Sequence, residues 1–144
     1  MKTPSKVTPF LWFNNNAEEA MKFYTSIFKN SAVTSRGTFQ LEGQEFMVLN
    51  GGPQFKFNEA ISFFVQCESQ EEVDYFWEKL TAGGEPGRCG WLKDKYGLSW
   101  QIIPKTFMKL VSDPDPAKTQ KVIQAMMKMQ KMDVKKLQEA YDSK

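Results

Sequence analysis

The sequence predicts an α+β fold made of two copies of a strand–helix–strand unit, followed by a helical extension. Three observations carry this. First, the second half repeats the first: Phe10-Leu-Trp-Phe13 registers on Ser62-Phe-Phe-Val65, and Ala17-Glu-Glu-Ala-Met-Lys-Phe-Tyr24 on Ser69-Gln-Glu-Glu-Val-Asp-Tyr-Phe76, at a constant offset of 52. The offset then drifts by two, where Gly43-Gln-Glu-Phe-Met-Val-Leu49 pairs with Gly97-Leu-Ser-Trp-Gln-Ile-Ile103. Second, two stretches carry apolar residues at helical spacing, and third, the segments between them read as strands. A twofold repeat argues for two similar modules in one sheet system rather than a solenoid, which needs three repeats.

The elements follow in order. A first strand is read over Val7 to Phe13, with Phe10 and Trp12 on one face and Leu11 and Phe13 on the other. Asn16-Ala-Glu-Glu19 resembles a capping box, after which Ala17, Ala20, Met21, Tyr24, Ile27 and Phe28 fall on one helical face. Strands are expected at Ala32 to Phe39 and Glu45 to Asn50, and Gly51-Gly52-Pro53 opens a connector running to residue 59. The second copy has a strand over Ala60 to Gln66 and a fuller capping box, Ser69-Gln-Glu-Glu72. A helix follows with Val73, Phe76, Trp77 and Leu80 as its apolar stripe, and Gly83-Gly84 ends it. A weaker extended piece near Arg88 to Leu92 and a strand over Leu98 to Ile103 close the unit.

Residues 1–112 thus read as one domain of two modules, about 5–52 and 58–104, with 113–144 as a helical tail. Asp113-Pro-Asp-Pro116 stops one element and starts the next, since Pro suits a helix's first position and Asp115 can cap it. A helix from about Ala117 to Lys131 is expected, then a short one after Asp133 with Val134, Leu137 and Tyr141 on one side.

Composition narrows the functional classes. A net charge of +2 is too small to argue for nucleic acid, although the tail from Lys105 carries nine Lys against five acids. Twelve Phe, four Trp and four Tyr supply core area and rings able to line a cavity. No apolar leader or membrane-length run is present, and with two cysteines, Cys67 and Cys89, the reading is cytoplasmic with reduced thiols.

Thr8-Pro-Phe-Leu-Trp-Phe13, Ala17-Glu-Glu-Ala20 with Phe23-Tyr24, Asn50-Gly-Gly-Pro53, and above all Cys89-Gly-Trp-Leu-Lys-Asp-Lys-Tyr-Gly-Leu-Ser-Trp-Gln101 resemble a known family. It is the PhnB-like branch, also described as 3-demethylubiquinone-9 3-methyltransferase-like, of the glyoxalase/bleomycin-resistance/dioxygenase, or vicinal-oxygen-chelate, superfamily. The resemblance covers about residues 4 to 142. It implies a glyoxalase-like fold of two paired βαβββ modules, curved mixed sheets enclosing a pocket in each half, and a homodimer. One departure is that only about twenty residues separate the first helix from Asn50, where relatives often carry a longer loop.

Metal-dependent members of that superfamily place ligands on the first and last strands of each module. Registering their first-strand ligand lands on Pro9 and, by the repeat, Ile61; the last-strand carboxylate lands on Gln101, with Met47 or Val48 as its repeat partner. Of these only Gln101 has a side-chain oxygen, and the chain contains no histidine, the usual borderline ligand and neutral-pH base. No metal site and no cofactor are expected. A methyltransferase site is not supported either, because neither Asn14-Asn-Asn16 nor Gln66-Cys-Glu68 supplies a Gly-rich strand-to-helix turn.

The candidate site residues each have two readings. Cys89, beside Arg88 and near Lys93 and Lys95, is either a thiol activated by cations or a small apolar residue at a backbone corner. Asp94 is either half of an acid/base pair with Lys93 or part of a charged turn. Trp91, Trp100 and Gln101 are either pocket residues or ordinary core packing, and alternation forbids Trp100 and Gln101 the same face. In the first module Trp12 is a candidate ligand contact, and Asn50 and Arg36 are the polar groups able to meet an anionic or carbonyl-bearing ligand, although an Arg on a strand is more often solvated surface. The Met-rich tail, with Met126, Met127, Met129 and Met132, reads as dimer packing or a lid rather than a membrane helix.

Three functions are carried forward. The first is a metal-independent homodimer binding a small ligand, with no nucleic acid or membrane partner. The second is an enzyme using Cys89, or Asp94 with Gln101, on a small oxygenated substrate. The third is a structural or regulatory dimer.

Overall fold

The computed structural model describes residues 5–144, so the first four residues of the 1–112 span lie outside the described residues. The chain divides by its contacts after Phe57 into two units, and the C-terminal helices belong to the second.

The first unit runs β1 (Phe10–Phe13), α1 (Ala17–Ile27), β2 (Ser31–Ser35), β3 (Thr38–Leu41), β4 (Gln44–Asn50). Its sheet has the order β1-β4-β3-β2, with β1 parallel to β4 and the other pairs antiparallel. Helix α1 covers one face. Ala17, Ala20, Met21, Tyr24 and Ile27 are buried as the helical spacing predicted, and Tyr24 stacks on Phe39, which stacks on Phe46. The opposite face, uncovered by α1, leaves Phe10 and Met47, cross-strand neighbours, 54% and 39% exposed. The expected single strand over 32–39 is instead a hairpin. Arg36 and Gly37 form its turn, which puts Arg36 on an exposed loop rather than a strand. Its register shifts between Val33 and Ser35, a bulge that alternation alone does not reveal.

The second unit repeats the order: β5 (Phe63–Cys67), α2 (Gln70–Thr81), β6 (Glu85–Pro86), β7 (Trp91–Lys93), β8 (Ser99–Pro104). Its sheet order is β5-β8-β7-β6, and again the first and last strands pair in parallel. Each unit therefore carries its own four-stranded mixed sheet, in keeping with the mixed sheets that the resemblance implied. Both units are βαβββ, as the resemblance implied. Val73, Phe76 and Leu80 of α2 are buried with Leu92, Trp100 and Ile102 of the sheet, while Trp77 is only half-buried. Ser69 caps α2 by accepting the N–H of Glu72 at 3.2 Å.

Three helices complete the chain: α3 (Lys105–Val111), α4 (Pro116–Met126) and α5 (Val134–Asp142). Helix α3 was not foreseen, and its sequence explains why: it has no side-chain cap and buries only Leu110. Asp115 caps α4 with Pro116 in its first turn, as read from the sequence. That helix ends five residues short of Lys131, and the chain then crosses the second sheet's corner. There the N–H groups of Cys89 and Gly90 donate to the carbonyls of Met129 and Gln130 at 2.9 and 2.8 Å. The Gln70 side chain clamps the same segment, donating to the Met132 carbonyl at 3.0 Å and accepting the N–H of Val134 at 2.7 Å. Val122, Met132 and Leu137 are fully buried there, whereas Met127 is 60% exposed. No helix among the described residues is long and apolar enough to cross a membrane.

Candidate functional site

The sequence candidates separate by strand face. Directly opposed residues share a face, so the pairs Trp91↔Gln101 and Phe64↔Gln101 place those three side chains in one row across the face away from α2. The next row on that face holds Ser99 with its partner Lys93, which in turn faces Glu85. Trp100 alternates to the other side, is 2% exposed, and meets Phe63 edge-on at 5.4 Å within the core. Of the three expected pocket residues of β7 and β8, Trp91 and Gln101 thus share the open face and Trp100 does not.

Asp94 belongs with Trp100. Its carboxylate accepts the N–H groups of Tyr96 and Leu98 at 2.9 and 3.1 Å and the indole N–H of Trp100 at 2.9 Å, and it is 2% exposed. A buried carboxylate so engaged shapes the Asp94–Leu98 turn and is closed to a substrate. Lys93 turns the other way and forms an ion pair with Glu59, so Asp94 and Lys93 are not brought together as an acid/base pair.

Cys89 sits in the left-handed region at φ +59, half-buried, where the strand corner turns into Gly90 at φ +83. Its N–H serves the tail. Cys67 is fully buried, and burial, reinforced by Glu72 and Glu68, pushes its thiol up to about 12.

In the first unit the two candidates serve the fold. The indole N–H of Trp12 donates to the Gly52 carbonyl at 3.0 Å, its ring meets Phe55 edge-on at 5.0 Å, and a Cβ on Gly51 would collide with it. Asn50 accepts the N–H of Ala17 at 2.9 Å, doing the capping expected of Asn16, whose own side chain makes no cap bond.

A cavity of about 320 Å3 opens over the second row. Trp91 gives it an apolar wall, Arg88 and Lys93 bring cations, and Glu59 and Glu85 bring acids. Its floor includes Ser99, which is 1% exposed and whose hydroxyl makes no hydrogen bond. A buried hydroxyl left unsatisfied is unusual in a folded interior. Sequence reasoning missed Ser99 and Glu59. Ser99 was within reach, since alternation puts it on the Gln101 face; Glu59 was not, because only tertiary contact joins the connector to β7. A larger, shallower depression of about 670 Å3 lies where the tail crosses α2, among Gln70, Asp74, Lys131 and Met132. Its one α2 carboxylate is already paired: Asp74 accepts from Lys131 and Gln70, which hold its carboxyl below the usual range.

The donor set does not fit a metal. The ladder pairs Trp12↔Leu49 and Phe64↔Gln101 lie a constant 52 residues apart, so the structural counterpart of Gln101 is Leu49, rather than Met47 or Val48. The hairpin turn before the last strand differs in length, spanning Glu42-Gly43 in one copy and Asp94 to Leu98 in the other. Leu49, Pro9 and Ile61 offer no side-chain donor, Gln101 donates its amide to Ser62 at 2.9 Å, and among the described residues no three His, Cys, Asp or Glu gather.

Comparison with known proteins accords with this architecture. The family model for 3-demethylubiquinone-9 3-methyltransferase matches residues 5–38 and 34–103. A PhnB protein from Bacillus cereus, carrying the same description, is 38% identical over 69% of this chain and 99% of its own, with a TM-score of 0.65. A Pseudomonas aeruginosa protein, 16% identical over 69% of this chain and 97% of its own, shares the fold at a TM-score of 0.57. A glyoxylase/bleomycin resistance protein/dioxygenase domain from Frankia is 17% identical over 71% of this chain and 93% of its own, with a TM-score of 0.45. No curated protein matches. The match ends before α3, so the three C-terminal helices are additional to the matched region. The identity to the Bacillus cereus PhnB protein over nearly all of its length places this chain in the PhnB-like 3-demethylubiquinone-9 3-methyltransferase family, with the α+β glyoxalase-like fold.

Proposed function

We propose that the protein is a metal-independent small-molecule-binding protein whose ligand lies on the open face of the second sheet, over Trp91, Lys93 and Ser99. The observation that carries this reading is the Ser99 hydroxyl, buried and unbonded on the floor of a cavity. A cavity near 320 Å3 falls at the small end of ligand pockets, and an aromatic wall with a few polar groups is their usual composition. The donor chemistry at Pro9, Ile61, Leu49 and Gln101 supports binding without a metal. The family's methyltransferase description is not adopted, because neither strand-to-helix turn is Gly-rich and the hydrogen-bonded Asp94 is no candidate base. We further read it as a cytoplasmic homodimer, a state consistent with exposed Phe10, Phe64 and Ile61.

The test is a small-molecule screen by thermal shift and tryptophan fluorescence on the wild type and Ser99→Ala. Hits that stabilise the wild type and lose affinity in Ser99→Ala support the site. Hits indifferent to Ser99→Ala place binding elsewhere and sink the assignment. Stoichiometric tight metal in the purified protein would overturn its metal-independent part, and a monomer in sedimentation its dimeric part.

A further inference from the structure

Resting on that reading of the site, we propose that the cavity takes a small planar organic monoanion, a carboxylate on an aromatic or conjugated body, and that Glu59 is the internal anion this ligand displaces.

The geometry divides the cavity into three parts. Trp91, half-buried on β7, offers a ring wall against which a planar body lies. Ser99, on the floor, offers a hydroxyl with both a proton and lone pairs uncommitted, which suits an oxygen on that body. Arg88 and Lys93 supply the positive charge, and they differ in their present engagement. Lys93 is held by Glu59 from the connector and feels Glu85 across the ladder, while Arg88 has no carboxylate partner among the described residues.

The charges decide the sign of the ligand. With Glu59 in place the two cations and two acids balance; with Glu59 swung out, Arg88, Lys93 and Glu85 leave a net +1, which a monoanion neutralises. A cationic ligand would have to expel Lys93 and still face Arg88. Displacing Glu59 costs little, since its side chain is 60% exposed, that of Lys93 is 38% exposed, and such pairs are weak. Glu59 also rides on the segment between β4 and β5, which is free of regular structure, so its departure breaks no ladder.

The experiment titrates the full chain with benzoate, benzamide and benzylamine, read by tryptophan fluorescence and by amide chemical shifts of Arg88 to Ser99. Benzoate is expected to bind with about millimolar affinity, in keeping with its size, and more tightly than benzamide. Glu59→Gln should tighten benzoate by about two- to fivefold, the scale of an exposed ion pair, and leave benzamide unchanged. Lys93→Met and Arg88→Gln should each weaken benzoate and flatten its salt dependence, with far-UV circular dichroism confirming that the variants fold. Equal affinity for benzoate and benzamide, or no tightening in Glu59→Gln, overturns the anion inference and leaves the cavity assignment standing. A preference for benzylamine also overturns it. If none of the three probes shifts Arg88 to Ser99, both this inference and the site assignment fall.

Discussion

The indole N–H of Trp100 donates to the carboxylate of Asp94 at 2.9 Å in the interior of the second unit. Two residues with functional looks thereby satisfy each other, and the same carboxylate holds the backbone N–H groups of Tyr96 and Leu98. Asp94→Ala leaves three donors without an acceptor, at about 1–3 kcal/mol each if fully stranded. We expect a loss of about 3 kcal/mol in urea unfolding, with Asp94→Asn intermediate because one oxygen remains for the backbone donors. A wild-type midpoint for Asp94→Ala would refute the structural role.

Asn50 reaches from the end of β4 to cap α1, a service normally given by the residue before the helix. Asn50→Ala should cost about 1 kcal/mol, as for other caps. Asn50→Asp should recover most of it, since Asp keeps the oxygen and its charge suits a helix N-terminus. Thermal unfolding of the three proteins checks this order.

The two thiols should separate by reactivity. Burial pushes Cys67 up to about 12, and it is fully enclosed, so it stays protonated and protected at pH 8; half-buried Cys89 is labelled first. A raised acid contributes stability that is present below its unfolded value and fades as pH climbs toward the folded one. We therefore expect Cys67 to weaken the fold between about pH 9 and 12, where its unfolded form ionises and its folded form does not. Iodoacetamide labelling with mass mapping reads the first point, and Cys67→Ala, which lacks this slope, reads the second.

The Tyr141 hydroxyl donates to Asp113 at 2.5 Å, tying α5 to the start of the tail. The bond holds the Asp113 carboxyl below its ordinary range and the Tyr141 phenol above its own. Asp113 therefore stabilises above the ordinary carboxylate range and loses this as pH falls through its lowered value. Tyr141 stabilises below the ordinary phenol range and loses this as pH rises through its raised value. The tie should be strongest from about pH 5 to 9. Tyr141→Phe should increase proteolysis of the tail within that window and have little effect outside it.

Much of the fold was legible because its signals are local. Apolar spacing in α1 and α2, the Ser69 and Asp115 caps and the repeat of β–α–β order all act within a few residues. Helix α3 escaped because a seven-residue helix without a cap gives almost no periodic signal, and β2–β3 was read as one strand because its Arg36-Gly37 turn interrupts no apolar run. Of the site, Trp91 and Gln101 were placed on one face by ladder register, whereas Trp12, Asn50, Trp100 and Asp94 proved to be bonded within the fold.

By itself the sequence determined that a strand–helix–strand unit would recur and that Pro9 and Ile61, registered as metal-ligand positions, carry no donor, because periodicity and side-chain chemistry are written residue by residue. Only the tertiary structure decided that Glu59 meets Lys93, that the tail fastens to Cys89 and Gly90, and that Ser99 is left buried without a partner. Those facts depend on which distant segments share a surface, and a hydrogen bond or ion pair across such a surface leaves no trace in local spacing.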